Sequence, residues 1–197
     1  MSNVPNVKMN QLVGLFLLLF LSSSLWAQKT INWLTWEEVQ EKSKIEKRKV
    51  FVDVYTKWCG WCKKMDKATF QQEHIAEYIN ANYYAVKFDA EYKNDIDFNG
   101  KSYKFVKSGR RGAHELAIEI TRGNLRYPTV VFLDENFGVL QPIPGFQNGS
   151  NFEMIMTYFA EDHFKSTPWK TYTINFLPLK RRKNGKLNST PVNYNNN

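Results

Sequence analysis

Both cysteines of the chain, Cys59 and Cys62, lie in one short stretch, FVDVYTKWCGWCKKMDKATF, at residues 51–70. The stretch changes character at the first of them. Before it, KVFVDVY is β-branched and aromatic with Asp53 in its middle, and reads as a central strand. After it, WCKKMDKATFQQEHIAEYINA reads as helix, with a break near Thr69 where Thr69 and Gln72 suggest a second cap. If the strand ends near Tyr55 and the helix starts at Cys59, one sulfur sits at a helix amino terminus and the other one turn inside. Few chain geometries are compatible with that placement.

A disulfide stabilises a fold by closing a loop in the unfolded chain, and this loop is about as short as such loops come, so a staple here would hold little. Tetrahedral zinc needs four ligands, and His74, His114 and His163 show no second paired spacing. Haem attachment needs histidine after Cys62, where Lys63 stands. The pattern favours a redox-active dithiol, with an inert disulfide and a metal site as the alternatives. Unpaired N–H groups at a helix start favour an anion, so Cys59 is expected to attack as a thiolate. Cys62, expected to be the more buried, would resolve the mixed disulfide. Lys57, Lys63 and Lys64 add positive potential that solvent screens.

The remaining chain alternates helix and strand. TWEEVQEKSKIEKRK opens with Thr35 three residues before Glu38, a capping-box spacing, and NYYAVKFDA reads as a strand. Helix, strand, helix, strand is the order of a parallel pair joined by a crossover. The 38 residues between Asp89 and Pro128 include the turn signal Asn99-Gly100 and GAHELAIEITRGN, expected as a short helix from Gly112 to Gly123. YPTVVFLDENFGVLQPIPGF reads as an antiparallel hairpin. SNFEMIMTYFAEDHF reads as a helix capped by Ser150 and Glu153 and closed by Pro168.

Residues 1–27 read as a secretory signal peptide: Lys8 precedes an apolar run from Leu12 to Leu21, no acidic residue is present, and Ala27 before Gln28 offers a cleavage point. The apolar core is about half of the roughly 20 residues a membrane span needs. An uncleaved anchor is the alternative. The formal charge of +8 resides mainly in the tail, residues 180–197, which carries five positive charges and no negative one. Without Lys8 and that tail, residues 28–179 carry only +2, so no nucleic-acid partner is indicated. Residues 28–179 are expected to form one domain, and the basic, Asn-rich tail to be disordered and solvated, with binding to an anionic surface as the alternative.

The WCGWCK stretch resembles the active site of the thioredoxin superfamily, in the form found in its secreted, thioredoxin-like members. Asp53, six residues before Cys59, matches the family's buried carboxylate beneath the dithiol. Lys87 in AVKFDA matches the lysine that accompanies it, and Pro128 in YPTVVF matches the cis-proline opposite the cysteines. The resemblance implies an α/β thioredoxin-like fold, a central mixed β-sheet flanked by helices on both faces. It implies catalytic Cys59, Cys62, Asp53 and Lys87, and a substrate surface of Trp58, Gly60, Trp61, Tyr127 and Pro128. Read without it, Asp53 is a polar residue at a strand edge, Lys87 an exposed strand residue, Pro128 a trans strand opener, and both tryptophans packing residues. Two departures stand out: thioredoxins proper carry proline where Trp61 stands, and residues 91–112 form an insertion before the cis-proline loop.

The reading is a secreted thiol:disulfide oxidoreductase of the bacterial periplasm, acting on protein thiols and disulfides. It would be served by an upstream membrane or soluble electron donor. No bound cofactor or metal is implied, because the Cys59–Cys62 disulfide carries the electrons, and the membrane is met only through the signal peptide before cleavage. The rivals are a binding module that uses residues 91–112 to hold a partner, and a redox sensor dedicated to one partner.

Overall fold

In the computed structural model, residues 30–183 are described. The expected signal peptide and the tail beyond residue 183 lie outside them. The fold is built on a five-stranded mixed sheet. β1 (Trp33–Leu34), β3 (Tyr83–Asp89) and β2 (Lys49–Tyr55) run parallel, and β8 (Thr129–Leu133) and β9 (Val139–Pro144) continue the sheet antiparallel. β2 is the central strand: six of its seven residues are buried. Side chains alternate across it, Phe51 and Asp53 facing one layer and Val50, Val52 and Val54 the other.

Each face has its own core. Phe51 is fully buried among Phe70, Phe132 and Phe152, under α3 (Glu73–Asn82) and α5 (Gly149–Ala160). On the other face the β2 valines pack against Trp36 and Val39 of α1 (Trp36–Ile45) and Leu116 and Ile120 of α4 (Glu115–Ile120). Truncating a ring such as Phe51 to Ala should cost about 3–5 kcal/mol. α1 starts where the sequence indicates: Thr35 Oγ1 accepts from the Glu38 N–H at 3.2 Å and the Glu38 carboxylate accepts from the Thr35 N–H at 2.8 Å. α5 does not. Asn148 caps it through Asn151 N–H at 2.9 Å. Glu153 instead accepts from Leu179 N–H at 2.6 Å and faces His74 at 3.6 Å, so tertiary contacts take the carboxylate that a capping box would use.

The expected long helix after Cys59 is shorter. α2 (Gly60–Met65) passes into a π-helical turn at Asp66–Phe70 before α3 begins. Thr69 supplies no cap; its hydroxyl donates to the Gln147 carbonyl at 2.7 Å and ties the break to the β9–α5 loop. At the other end, α6 (Trp169–Ile174) and α7 (Leu179–Lys183) follow α5, and the helical α7 takes the first residues of the expected disordered tail. Arg182 there pairs with Glu161 at 2.6 Å, a partner that composition could not show.

The insertion at residues 91–112 is ordered as two β-hairpins. β4 (Ile96–Phe98) and β5 (Lys101–Tyr103) turn at Asn99 and Gly100, both at positive φ, as the sequence indicates. Phe98 packs on Trp36 at 4.6 Å. The second pair, β6 (Phe105–Ser108) and β7 (Arg111–His114), replaces the start of the helix expected from Gly112. Gly112 is needed there for space: a Cβ would run into the Phe105 ring and the Val106 carbonyl.

Candidate active site

The cysteines meet where β2 gives way to α2. The Cys59 N–H donates to the Thr56 carbonyl at 3.1 Å, closing the turn, and Cys59 is the N-cap of α2 in extended backbone. Its Sγ accepts from the Cys62 N–H at 3.0 Å, the hydrogen bond a helix start offers to an anion. Cys59 and Cys62 are joined as a disulfide with Cα atoms 5.3 Å apart. Cys62 is not the more buried of the two; each is 5 % exposed. What distinguishes the two cysteines is therefore the cap position of Cys59, not their overall burial.

On β2, the strand that leads into the cysteine turn, Asp53 is 1 % exposed, with no hydrogen-bond partner for its Oδ1 among the described residues. Burial pushes its carboxyl from the usual 3.8 up to about 7; Lys87 opposes that rise and Asp66 adds to it. Lys87 stands beside Asp53 in the register of β2 and β3, as the resemblance implies. Its ammonium, however, pairs with Asp66 at 2.7 Å and lies over the Trp33 and Tyr55 rings. The reason is solvation: Lys87 and Asp66 keep 29 % and 37 % of their side chains exposed, whereas an ion pair on Asp53 would have to be made fully dry.

Above the disulfide the surface is aromatic. Trp58 and Trp61 are 52 % and 57 % exposed, so neither is a core residue. Trp58 stands edge-on to Tyr127 at 5.9 Å and carries the Arg111 guanidinium over its ring at 4.6 Å. Trp61 lies against Phe146 at 5.6 Å with the Lys64 ammonium 4.5 Å above it. A Cβ on the exposed Gly60 between them would meet nothing within 4 Å, so space does not demand glycine there. Pro128 is buried and its bond to Tyr127 is cis. Among the described residues the backbone N–H and C=O of Tyr127 make no hydrogen bond, and burial raises its phenol to about 12, so the ring stays neutral.

Residues 20–134 match the model of a family, Thioredox_DsbH, described as a protein of unknown function, DUF255. The chain belongs to this family. The family's name agrees with the thioredoxin-like fold of this chain. The described structure superposes on that of a "DsbH Oxidoreductase" with a TM-score of 0.50 at 18 % identity, covering 71 % of this chain and 91 % of that one. It superposes equally on a thioredoxin-fold protein from Helicobacter pylori, with a TM-score of 0.51 at 16 % identity, covering 71 % and 87 %. Among curated proteins, the uncharacterized protein B0495.5 of Caenorhabditis elegans is 27 % identical over 161 residues, 81 % of this chain and 18 % of its own length. The chain thus spans less than a fifth of that relative.

The Thioredox_DsbH match takes in Cys59, Cys62, Asp53, Lys87, Tyr127 and Pro128, which the fold assembles around one turn. Phe146, the neighbour of Trp61, lies beyond it. Three residues with a place here were not singled out from the sequence. Asp66 holds Lys87, and its only sequence signal is a lone acid four residues after Cys62. Arg111 covers Trp58, hidden in a run of loop-like cations. His114 is fully buried: its Nδ1 accepts from the Leu116 N–H at 3.3 Å, which leaves Nε2–H to donate to the Asn94 carbonyl at 3.1 Å. Burial lowers its pKa, so it anchors the insertion as a neutral ring.

Proposed function

We propose that this chain is a thiol:disulfide oxidoreductase that exchanges disulfides with proteins in the bacterial periplasm. The observation that carries the reading is the Cys59 Sγ at the α2 cap, at the end of the strand that buries Asp53, whose carboxyl burial pushes up to about 7. In the reduced protein the cap N–H favours a Cys59 thiolate, which attacks one sulfur of a substrate disulfide. The substrate S–S bond breaks, a Cys59–substrate disulfide forms, and the other substrate sulfur leaves and takes a proton. Cys62 then gives its proton to Asp53 and attacks the Cys59 sulfur, releasing the second substrate thiol as the intramolecular disulfide closes. Two electrons pass from the dithiol to the substrate; solvent returns the proton Cys59 had released to the first substrate thiol, Asp53 passes the Cys62 proton to the second, and the same steps reversed oxidise a substrate dithiol. A dithiol donor, membrane-bound or soluble, restores the reduced form. The free Tyr127 main chain supports recognition of an extended substrate segment. The apolar run behind Lys8 supports export, and no bound cofactor is invoked.

The reading is tested on protein recovered from the periplasmic fraction with Gln28 at its amino terminus. It should catalyse insulin reduction by dithiothreitol, followed as turbidity. Cys59→Ser should abolish this, whereas Cys62→Ser should accumulate mixed disulfides with partners. Normal turnover in Cys59→Ser, or trapping by that variant instead, would sink the assignment of roles. A second reading, a sensor dedicated to one partner, is favoured by the ordered hairpin beside Trp58; it predicts a defined reduction potential against glutathione but poor insulin turnover.

A further inference from the structure

A groove of 660 Å³ runs beside the disulfide between the β6–β7 hairpin and the Trp58–Tyr127 pair. Its lining combines the apolar Val106, Leu125 and Tyr127 with the cations Arg111 and Arg126. Among the described residues neither arginine forms an ion pair, and Lys107 and Arg110 on the same hairpin have none either. Residues 104–112, KFVKSGRRG, hold no acid. Glu91 is the one carboxylate lining the groove. The Arg111 guanidinium lies over Trp58, its Cζ 4.6 Å from the ring centroid, and with no ion pair of its own among the described residues it can meet a carboxylate in a paired contact.

The wall is built rather than incidental. Gly112 admits the close approach of β6 and β7. The Lys93 ammonium lies 3.1 Å over the Phe105 ring, and the His114 N–H donates to the Ala90 carbonyl at 2.7 Å at the hairpin's base. This holds Arg111 beside the residue that precedes the attacking cysteine, and Arg126, from the loop before Tyr127, lines the same groove.

We infer that this groove selects partner polypeptides by charge: it takes an extended segment whose Asp or Glu side chains flank the partner's cysteine, pairing them with Arg111 and Arg126. The position of that cysteine rests on the exchange reading above, but binding of the segment does not. The net positive groove attracts acidic segments and disfavours basic ones, and Glu91 sharpens the discrimination against a carboxylate placed too deep.

Three dye-labelled peptides of one sequence, with serine in place of cysteine and Asp, Asn or Lys on either side, are titrated with the full-length oxidised protein and followed by fluorescence anisotropy. The Asp peptide should bind about tenfold tighter than the Lys peptide at low salt, the sum of two exposed charge-assisted pairs, and the margin should shrink as salt rises. Arg111→Gln with Arg126→Gln should level the peptides, and Arg111→Glu with Arg126→Glu should reverse their order. Equal affinities for the wild-type protein, or capture only by phosphatidylglycerol vesicles, overturn the inference. Insulin reduction reports the chemistry separately: turnover without peptide preference removes the groove alone, and preference without turnover upholds it while removing the exchange reading.

Discussion

The regions below and above the Cys59–Cys62 disulfide are built from opposite materials. Below, the buried Oδ1 of Asp53 has no hydrogen-bond partner among the described residues, while a second carboxylate, Asp66, pairs with Lys87. Above, aromatic rings stand in solvent with cations laid on them. A dry carboxyl affects proton transfer for every substrate alike, whereas an exposed rim can act only through what touches it. Substitutions below should therefore change pH dependence whatever the partner, and substitutions above should change partner preference at constant pH dependence.

The largest effect is expected at Asp53. Under the proposed exchange mechanism Asp53→Asn removes the acceptor of the Cys62 proton, and general-base effects of this kind are about a hundredfold or more. Stopped-flow kinetics near neutral pH should show the attack by Cys59 intact and release of the mixed disulfide slowed by that factor. Stability should move the other way. Because the folded carboxyl titrates near 7 instead of 3.8, folding carries a penalty that is absent below pH 3.8, grows as pH rises, and is complete above about 7. At about 1.4 kcal/mol per tenfold change in acidity, the full penalty is at most about 4 kcal/mol. Urea titrations should thus find Asp53→Asn level with the wild type in acid and more stable at neutral pH. Unchanged resolution with unchanged stability would make Asp53 an ordinary strand residue.

A smaller effect is expected from the competition for Lys87. Asp66→Asn removes a negative charge that raises the Asp53 pKa and frees Lys87 to lower it further, so the acid limb of the resolution rate should move to lower pH. Lys87→Met should move it to higher pH. Equal profiles for all three proteins would mean that neither charge reaches Asp53.

What the sequence disclosed follows the same division. The cysteine turn, the central strand, the Thr35–Glu38 box and the Asn99-Gly100 turn are local: each depends on residues a few positions apart, and each stands where its pattern indicates. The choice made by Lys87 is not local. Its register neighbour is Asp53, yet the pairing goes to Asp66, and only relative burial decides between them. The second hairpin was obscured because Lys107, Arg110 and Arg111 read as loop, and because the short helix pattern begins at Glu115 rather than at Gly112. Likewise Ser150 and Glu153 have the spacing of a cap, but Leu179 and His74 compete for the carboxylate from distant parts of the chain.

The smallest effect separates the two tryptophans of the rim. Both are half-exposed and both lie under a cation, so each truncation should change folding stability by no more than about 0.5–1 kcal/mol. Their neighbours differ. Trp58 touches Tyr127 and seats Arg111, whereas Trp61 touches Phe146 and seats Lys64, away from the groove. Trp58→Ala frees the Arg111 guanidinium from its fixed posture, and the entropy of holding it must then be met at each binding event. The Asp-over-Lys peptide preference should consequently fall about threefold, since an unordered cation on a long side chain retains only part of an exposed pair's strength. Trp61→Ala should leave that preference as it is while lowering insulin turnover by a similar small factor. Loss of preference in Trp61→Ala, or its retention in Trp58→Ala, would show that the two sides of the rim act as one surface and that the hairpin does not single out one of them.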